Sequence, residues 1–299
     1  MIKKAIITGP TGAIGSALID ELIKNGVYVY AIIRPNSPRK NNILKNPLVE
    51  IVDCDISDYQ SLHGKLCSDA FFHLAWEKTT VSGRDDVDAQ LKNVSYALDA
   101  VRLAKASGCK VFVGAGSQAE YGVKDCKLKV DTAVNPSSAY GIAKYTAGKM
   151  TENLCNKYGI RHCWVRILSI YGKNDGANTL MSYLINSFKN GVAPDLTACE
   201  QIWDYLHSED AGRAFRLIAE RGKGGKVYPL GGGEPKPLRE YVESVRNVVN
   251  PNCAINFGAK EYYPHQPMYL CADITELTLD TGFIPVKDFE TSIKEIAGI

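Results

Sequence analysis

The chain has 299 residues, 45% of them hydrophobic and 23% charged, which is typical of a globular protein with a large buried core. Its formal net charge of +2 gives no reason to expect a nucleic acid or an anionic membrane as partner, and no apolar run approaches the roughly 18 residues that a membrane-spanning helix needs. Because strand-like residues begin close to the first methionine and no signal peptide precedes them, we expect a cytoplasmic protein.

The nine cysteines are scattered, odd in number and without a CxxC pair. This spacing predicts reduced thiols rather than a disulfide framework or a zinc site, so we expect no metal. His162 and Cys163 are adjacent, but they lie in a predicted strand whose alternating faces would separate their side chains.

A glycine turn follows the first predicted strand. The apolar residues 5–7 predict a buried strand, and apolar residues at helical spacing from 18 to 23 predict a helix. The turn between them would let backbone N–H groups and the positive end of the helix approach a pyrophosphate closely. We therefore predict a dinucleotide site, and the alternative is a structural turn that binds nothing. The predicted cofactor-binding residues of the turn are Gly9, Thr11, Gly12, Ala13, Ile14 and Gly15.

The residue after the second predicted strand bears on the choice of cofactor. Residues 27–33 form this strand, and Arg34 follows it, with Arg39 close behind. An acidic residue at this place would accept hydrogen bonds from the ribose 2′-hydroxyl of NAD, whereas an arginine accommodates the 2′-phosphate of NADP. The sequence thus favours NADP. The alternative is that both arginines are solvated loop charges and that NAD is used.

The third and fourth predicted strands end in further candidate cofactor contacts. Residues 49–53 form the third strand, and Asp55 and Ile56 follow it, where a carboxylate could meet the adenine amino group. The alternative is that Ser57 and Asp58 cap a helix here.

The fourth strand, residues 70–75, ends at Leu74 and Ala75, which are predicted to lie beside the cofactor. His73 has no acid or nucleophile close to it in sequence, so we expect a packed strand histidine rather than a catalytic one.

Strands and helices alternate along this half of the chain. Apolar residues from 88 to 106 lie on one side of a helix, and residues 110–114 form a fifth strand. This alternation predicts an α/β fold with a doubly wound parallel sheet whose ligands bind at the carboxyl ends of the strands.

Three residues carry the predicted chemistry. The fifth strand leads into Ser117, and a later helix begins near Tyr140 and Lys144, which share one face because four positions separate them. An ammonium near a phenol favours the phenolate, so we expect Lys144 to lower the pKa of Tyr140 and make it a general acid or base. Ser117 would bind the same substrate oxygen. The three residues would prepare a carbon for hydride transfer with a nicotinamide cofactor.

These motifs, in this order, resemble the extended short-chain dehydrogenase/reductases, specifically the NAD-dependent epimerase/dehydratase family acting on nucleotide sugars. The resemblance rests on TGxxGxxG at 8–15, on Ser117 followed by Tyr121 and Gly122, and on YxxxK at 140–144. It continues at 166–172, 201–210 and 230–234. It implies a Rossmann domain at 1–170 and a smaller α/β substrate-binding lobe, mainly at 171–299, with some segments returning to the Rossmann domain.

The resemblance also implies roles for individual residues. The glycines of the turn would bind the cofactor pyrophosphate, Tyr140 would be the acid/base, Lys144 would also hold the nicotinamide ribose, and Ser117 would bind the sugar oxygen. Family members often form homodimers through helices that match 88–106 and 140–158.

Departures from the family pattern narrow the reaction. Sugar 4,6-dehydratases place Asp-Glu or Ser-Glu directly after the catalytic threonine, whereas Gln118 and Ala119 follow Ser117 here. Glu120 is out of register, and we expect it to cap a helix or face solvent. Dehydration is therefore disfavoured, and epimerisation and ketoreduction remain open.

Two predicted substrate-binding positions also differ from the family. Ser169 stands where an asparagine is usual, and Trp203 where an arginine is usual, and both positions commonly help to hold the diphosphate sugar. Residues 263–266 also lack an arginine that relatives often supply. Trp203 would stack on a base or sugar, or pack inside the lobe.

The sequence therefore predicts an NADPH-dependent 4-ketoreductase of nucleotide-diphosphate sugars. The first alternative is a nucleotide-sugar 4-epimerase with tightly bound NAD. Two further alternatives are a reductase of a carbonyl compound that is not a sugar and a cofactor-binding protein without catalysis.

Overall fold

The structure is a computed structural model that describes residues 2–80, 83–263 and 266–299. Its strands are β1 (Lys4–Thr8), β2 (Tyr28–Ile33), β3 (Val49–Asp53), β4 (Ala70–His73), β5 (Val111–Ser117), β6 (Arg161–Ile167), β7 (Ser169–Tyr171), β8 (Ile202–Trp203), β9 (Tyr205–His207), β10 (Lys226–Leu230), β11 (Lys236–Pro237) and β12 (Tyr269–Leu270). Its α-helices are α1 (Ala13–Lys24), α2 (Val87–Ala106), α3 (Ala139–Tyr158), α4 (Leu180–Lys189), α5 (Ser208–Arg221), α6 (Leu238–Val249), α7 (Thr275–Thr281) and α8 (Phe289–Ala297).

A seven-stranded parallel sheet forms the centre of the larger part of the molecule. Its strand order is β10-β6-β5-β4-β1-β2-β3, so the order reverses between β1 and β4. This confirms the predicted α/β doubly wound fold, with the reversal where such sheets bind ligands.

Both faces of the sheet are covered, because successive side chains of a strand point to opposite sides. Ile7 and Phe72 belong to the core under α1 and α5, whereas the preceding residues, Ile6 and Phe71, belong to the core under α2. The near-continuous apolar runs of β1 and β4 follow from this two-sided burial.

A smaller lobe is built from the later part of the chain. Helices α4, α6 and α8 pack around a core that includes Tyr171, Phe188, Val242 and Ile293. The lobe also has a three-stranded sheet, β11-β8-β12, and the pair β7-β9. Strand β10 instead pairs with β6 in the large sheet. The predicted boundary at residue 170 stays a prediction.

Three observations concern the sequence-based expectations on metals and membranes. All nine cysteines are free thiols. Within the described ranges no group of three or more His, Cys, Asp or Glu residues could hold a metal ion. None of the helices in those ranges is both long and apolar enough to cross a membrane.

Candidate active site

The glycine turn brings the ends of β1 and β4 and the start of α1 together. Gly9 has a φ of +71°, and a Cβ there would lie 2.7 Å from the backbone nitrogen of Ala75. A Cβ on Gly15 would lie 2.3 Å from the carbonyl oxygen of Gly9. A side chain at either position would therefore force backbone segments apart.

Gly12 differs, because a Cβ there would meet only the Gly9 oxygen, at 4.0 Å. Gly12 is the N-cap of α1 and gives it no side-chain cap, so the first N–H groups of the helix remain available to a ligand. Open space beside an uncapped helix N-terminus fits the pyrophosphate of a dinucleotide. Thr11 lies in the same turn, and its carbonyl oxygen accepts a hydrogen bond from Asn42 at 2.9 Å, while Ala13 and Ile14 begin the helix.

The other predicted cofactor residues lie at the same edge of the sheet. Arg34 is exposed directly after β2. Asp55 is itself the N-cap of the 3₁₀-helix Ile56–Leu62, and its Oδ1 accepts from the nitrogen and the hydroxyl of Ser57 at 3.0 and 2.6 Å. These bonds lower the pKa of Asp55.

Leu74 and Ala75 are tied to the end of β1. The backbone nitrogen of Leu74 donates to the carbonyl oxygen of Thr8 at 3.1 Å, and the backbone nitrogen of Ala75 donates to the Thr8 hydroxyl at 3.3 Å. His73 is buried with its Nδ1 2.9 Å from the same hydroxyl, and burial lowers the pKa of His73 to about 3. His73 is therefore a neutral histidine packed in the strand, as expected from the sequence.

Ser117, Tyr140 and Lys144 meet where β5 ends and α3 begins. Ser138 caps α3 by accepting a hydrogen bond from the nitrogen of Gly141 at 3.1 Å, which fixes Tyr140 in the first turn. Tyr140 is 8% exposed and Lys144 4%. The Ser117 side chain lowers the pKa of the Tyr140 phenol, which opposes the effect of burial.

The expectation that Lys144 lowers the pKa of Tyr140 is wrong. Burial raises the pKa of Tyr140, and the opposing contributions come from Ser117 and from Arg84, whose guanidinium carbon lies 5.0 Å from the ring centroid. The Lys144 ammonium instead donates to the oxygen of Ala115 at 2.7 Å, and burial lowers its own pKa to about 7. Removal from water outweighs the attraction that helical spacing suggests.

Trp76 and Gln90 were not found from the sequence. The Lys144 nitrogen lies 3.7 Å from the centroid of a Trp76 ring, a cation–π contact. The Trp76 indole N–H donates to Gln90 at 2.8 Å, and Gln90, which is 1% exposed, also donates to the oxygen of Gly83 at 2.9 Å. A polar residue on the buried face of a predicted helix is the signal that could have identified Gln90.

Glu120 is wholly buried, so the expectation that it faces solvent is wrong. The alternative expectation, a cap, describes its geometry. Ser117 and Glu120 form a reciprocal capping box on the 3₁₀-helix Gln118–Glu120. The carboxylate also accepts hydrogen bonds from Trp164 at 2.9 Å and from Arg166 at 2.7 Å. Its position follows from bonds to residues more than 40 positions away, which local sequence could not indicate.

In the lobe, the indole N–H of Trp203 donates to the hydroxyl of Ser169 at 2.7 Å, so the two predicted substrate residues lie together. Buried Asp204 accepts from the nitrogens of Gly232 at 2.6 Å and Gly233 at 3.1 Å. These glycines therefore form a turn bound to a carboxylate. Of the segment 263–266, Pro264 and His265 lie outside the described residues.

The chain is similar to several known proteins. The model of the NAD dependent epimerase/dehydratase family matches residues 5–231. A CDP-abequose synthase of Salmonella typhimurium is 26% identical over 97% of this chain and 96% of its own length. A dTDP-4-dehydro-6-deoxyglucose reductase of Escherichia coli is 22% identical over 84% of each chain. The solved UDP-N-acetylglucosamine 4-epimerase of Methanobrevibacter ruminantium, 23% identical over 99% of this chain and 97% of its own, has a TM-score of 0.89, which shows the shared fold.

The two glycines of the turn should respond differently to alanine. Gly15→Ala should destabilise the protein by about 1–3 kcal/mol, because its methyl group meets backbone. Gly12→Ala should change the melting temperature little but weaken NADPH binding about tenfold or more, because its methyl group occupies the space beside the helix N-terminus. Thermal melts and NADPH titrations would measure both effects. Tight NADPH binding by Gly12→Ala would contradict the assignment of the pyrophosphate site.

Cofactor binding should be linked to protonation of Lys144. The pKa of Lys144 is about 7, so the group is mostly neutral at pH 8. An anionic cofactor that accepts its hydrogen bond favours the ammonium, so binding should take up a proton at about pH 8 and hardly any at about pH 5.5, where Lys144 is already charged. Calorimetry in two buffers of different ionisation enthalpy would measure the uptake. The proton uptake should disappear in Lys144→Met and persist in the exposed control Lys149→Met. Uptake by both variants would refute the assignment of the proton to Lys144.

Proposed function

Since the chain belongs to the NAD-dependent epimerase/dehydratase family, we propose that it reduces the C4 carbonyl of a nucleotide-diphosphate sugar with NADPH. The observation that carries the proposal is the meeting of Ser117 and Tyr140 beside Lys144, at the sheet edge that also holds the glycine turn. Family members use a nicotinamide cofactor, NAD or NADP.

The buried environment of Tyr140 suits a proton donor. Because burial raises the pKa of Tyr140, the phenol is protonated at neutral pH and suits a general acid that donates to a carbonyl oxygen. A reduced nicotinamide cofactor, when bound, would supply the hydride that adds to C4. Tyr140 gives its proton to the oxygen as the alcohol forms and regains a proton from water.

Ser117 and Lys144 serve the same step. The Ser117 Oγ accepts a hydrogen bond from the nitrogen of Ala119 at 3.2 Å, so its own proton is the one that can be donated to the carbonyl oxygen. Lys144 would turn from Ala115 to hold the nicotinamide ribose. A second donor to the oxygen stabilises the negative charge that develops there.

The residues after Ser117 argue against dehydration. Elimination of water needs an acid and a base beside the sugar, and neither Gln118 nor Ala119 supplies one. The carboxylate of Glu120 is buried and bound to three donors. None of these three residues can therefore act as the base that elimination of water requires.

NADP is proposed over NAD because of Arg34. It lies exposed at the end of β2, where a 2′-phosphate would be bound, and the acidic residue that would accept from a 2′-hydroxyl is absent from this position. Asp53, at the end of the neighbouring strand, lies 3.6 Å from Lys40.

Ser169 and Trp203 are proposed to contact the sugar nucleotide as one unit. Trp203 packs against the lobe core and against the cluster of Tyr121 and Leu168, and its N–H is bonded to Ser169. The pair offers a hydroxyl and an aromatic surface but no charge. Recognition here would rest on hydrogen bonding and apolar contact.

A homodimer is also proposed, through α2 and α3. These two helices pack on each other and carry exposed apolar residues, with Val87 66%, Leu91 68%, Ile142 51% and Met150 45% exposed. Apolar side chains on one pair of helices are typical of an interaction surface.

Turnover of a keto sugar nucleotide would test the reaction. With dTDP-4-dehydro-6-deoxyglucose and NADPH, the protein should consume one cofactor for each alcohol formed, followed by absorbance and chromatography. Tyr140→Phe should lower kcat about 10²- to 10⁴-fold while NADPH still binds. Tyr158→Phe, at the other end of α3, is the matched control. Turnover of UDP-glucose without net cofactor consumption would instead indicate an epimerase, and full activity of Tyr140→Phe would favour a protein without this catalysis.

Substitution of Arg34 should separate the two cofactors. A hydrogen bond to a charged group contributes about 1.5–3 kcal/mol, so Arg34→Ala should raise the KM for NADPH roughly 10- to 100-fold. The KM for NADH should change little, since NADH has no 2′-phosphate. The exposed Lys45→Ala is the control for general loss of positive charge. Equal effects on both cofactors would count against NADP specificity.

Charges on the α2–α3 surface should separate the dimer. The double variant Leu91→Glu/Ile142→Glu should elute at the monomer mass in light scattering, since burying two carboxylates at an apolar interface is unfavourable. Leu279→Glu, which changes a 78% exposed leucine on α7, should leave the dimer intact. A monomeric wild-type protein would overturn this assignment.

A further inference from the structure

Glu120 is a fully buried carboxylate that the proposed reaction does not use. Its side chain accepts three hydrogen bonds, at 2.8 Å from the backbone nitrogen of Ser117, at 2.9 Å from the indole of Trp164 and at 2.7 Å from the guanidinium of Arg166. These three donors satisfy the hydrogen-bonding capacity of the buried carboxylate, which water does not reach. The first of them belongs to Ser117, the residue proposed to bind the substrate oxygen.

The capping box fixes the conformation of Ser117 from two sides. Glu120 holds the backbone N–H of Ser117, and the Oγ of Ser117 accepts from the nitrogen of Ala119 at 3.2 Å. With this hydrogen bond accepted, the Ser117 hydroxyl still has its own proton to donate to a substrate oxygen. Loss of the carboxylate would free the strand end that carries this hydroxyl.

Trp164 holds the carboxylate in place. Its indole lies flat against three glycines, since a Cβ on Gly114, Gly116 or Gly148 would come within 2.3, 2.4 and 2.9 Å of the ring atoms. A Cβ on Gly116 would also lie 2.5 Å from Oε1 of Glu120. The ring therefore cannot rotate freely, and its N–H is aimed at the carboxylate.

Stability alone gives little reason for this charge. Replacing a buried ion pair by apolar residues of similar volume is often neutral or stabilising, whereas removing one partner leaves a buried charge unpaired. The arrangement has instead a specific geometric effect, because one oxygen of Glu120 bonds to both Ser117 and Trp164.

We propose that Glu120 is a positioning residue for Ser117: its carboxylate, held by Trp164 and Arg166, fixes the end of β5 so that the serine hydroxyl donates to the substrate oxygen. This role rests on the proposed function. Glu120 itself touches neither cofactor nor substrate.

Two double variants would isolate the hydrogen bond from the charge. Glu120→Gln/Arg166→Met removes the ion pair but keeps an oxygen that accepts from Ser117, and Glu120→Leu/Arg166→Met removes the acceptor as well. In NADPH-dependent reduction of dTDP-4-dehydro-6-deoxyglucose, kcat of the Leu variant should fall about 10²-fold below that of the Gln variant, with equal KM for NADPH. Equal kcat values in the two folded variants would overturn the proposal.

A double-mutant cycle would distinguish positioning from general damage. If Glu120 acts through Ser117, the Leu and Gln variants should have the same kcat in a Ser117→Ala background. A difference that persists in that background would refute the role.

A third variant covers the case in which the Leu variant does not fold. Trp164→Phe keeps a ring against the glycines but loses the N–H, so kcat should fall about three- to tenfold, and the fall should vanish in Ser117→Ala. An unchanged kcat would overturn the proposal.

Failure of the proposed function would give a different result. If the wild-type protein reduces no keto sugar nucleotide, that function is wrong, and the positioning role is then judged from crystal structures of the Gln and Leu variants. Displacement of the Ser117 hydroxyl in the Leu variant alone would support it, and identical placement in both would overturn it.

Discussion

The cofactor cleft depends on the backbone contact between Gly9 and the segment that follows β4. A Cβ at Gly9 would lie 2.7 Å from the nitrogen of Ala75 and 2.8 Å from the carbonyl carbon of Leu74. Strand order reverses between β1 and β4, so this contact lies at the point where sheets of this kind bind their ligands. Gly15 then brings α1 against Gly9, which directs the helix N-terminus into the same space. The other site residues follow strands whose ends are fixed by this junction.

Burial determines the charge state of the catalytic groups more than their mutual attraction does. Desolvation raises the pKa of Tyr140 and lowers that of Lys144 to about 7, so the phenol is protonated and the lysine is easily neutralised near neutral pH. A hydrogen bond to the oxygen of Ala115 and a cation–π contact with Trp76 hold the side chain of Lys144 in place. A site in this state is suited to donate a proton from Tyr140 to a carbonyl oxygen, and anionic ligands are what would restore the charge of Lys144.

The sequence predicted those parts of the fold that depend on local pattern. Apolar runs and glycine spacing identified β1 and α1, and four-residue spacing placed Tyr140 and Lys144 on one helical face, as the structure confirms. Spacing carries no information on burial, so the direction of the Tyr140 pKa was predicted wrongly. The cap at Glu120 was anticipated but its burial was not, since a glutamate is rarely buried without partners and its partners, Trp164 and Arg166, lie far along the chain.

The place of one carboxylate also bears on which reaction this site can support. Elimination of water from a sugar needs a second group that exchanges protons beside the catalytic serine or threonine. The segment 117–121 contains a single acid, Glu120, and its side chain turns into the protein, where it is bound to three donors and closed to water. Turned this way, the carboxylate can order Ser117 but cannot take a proton from the substrate. Under the proposed function, proton exchange falls to Tyr140, which is enough for the addition of hydride and proton to a carbonyl and not enough for dehydration.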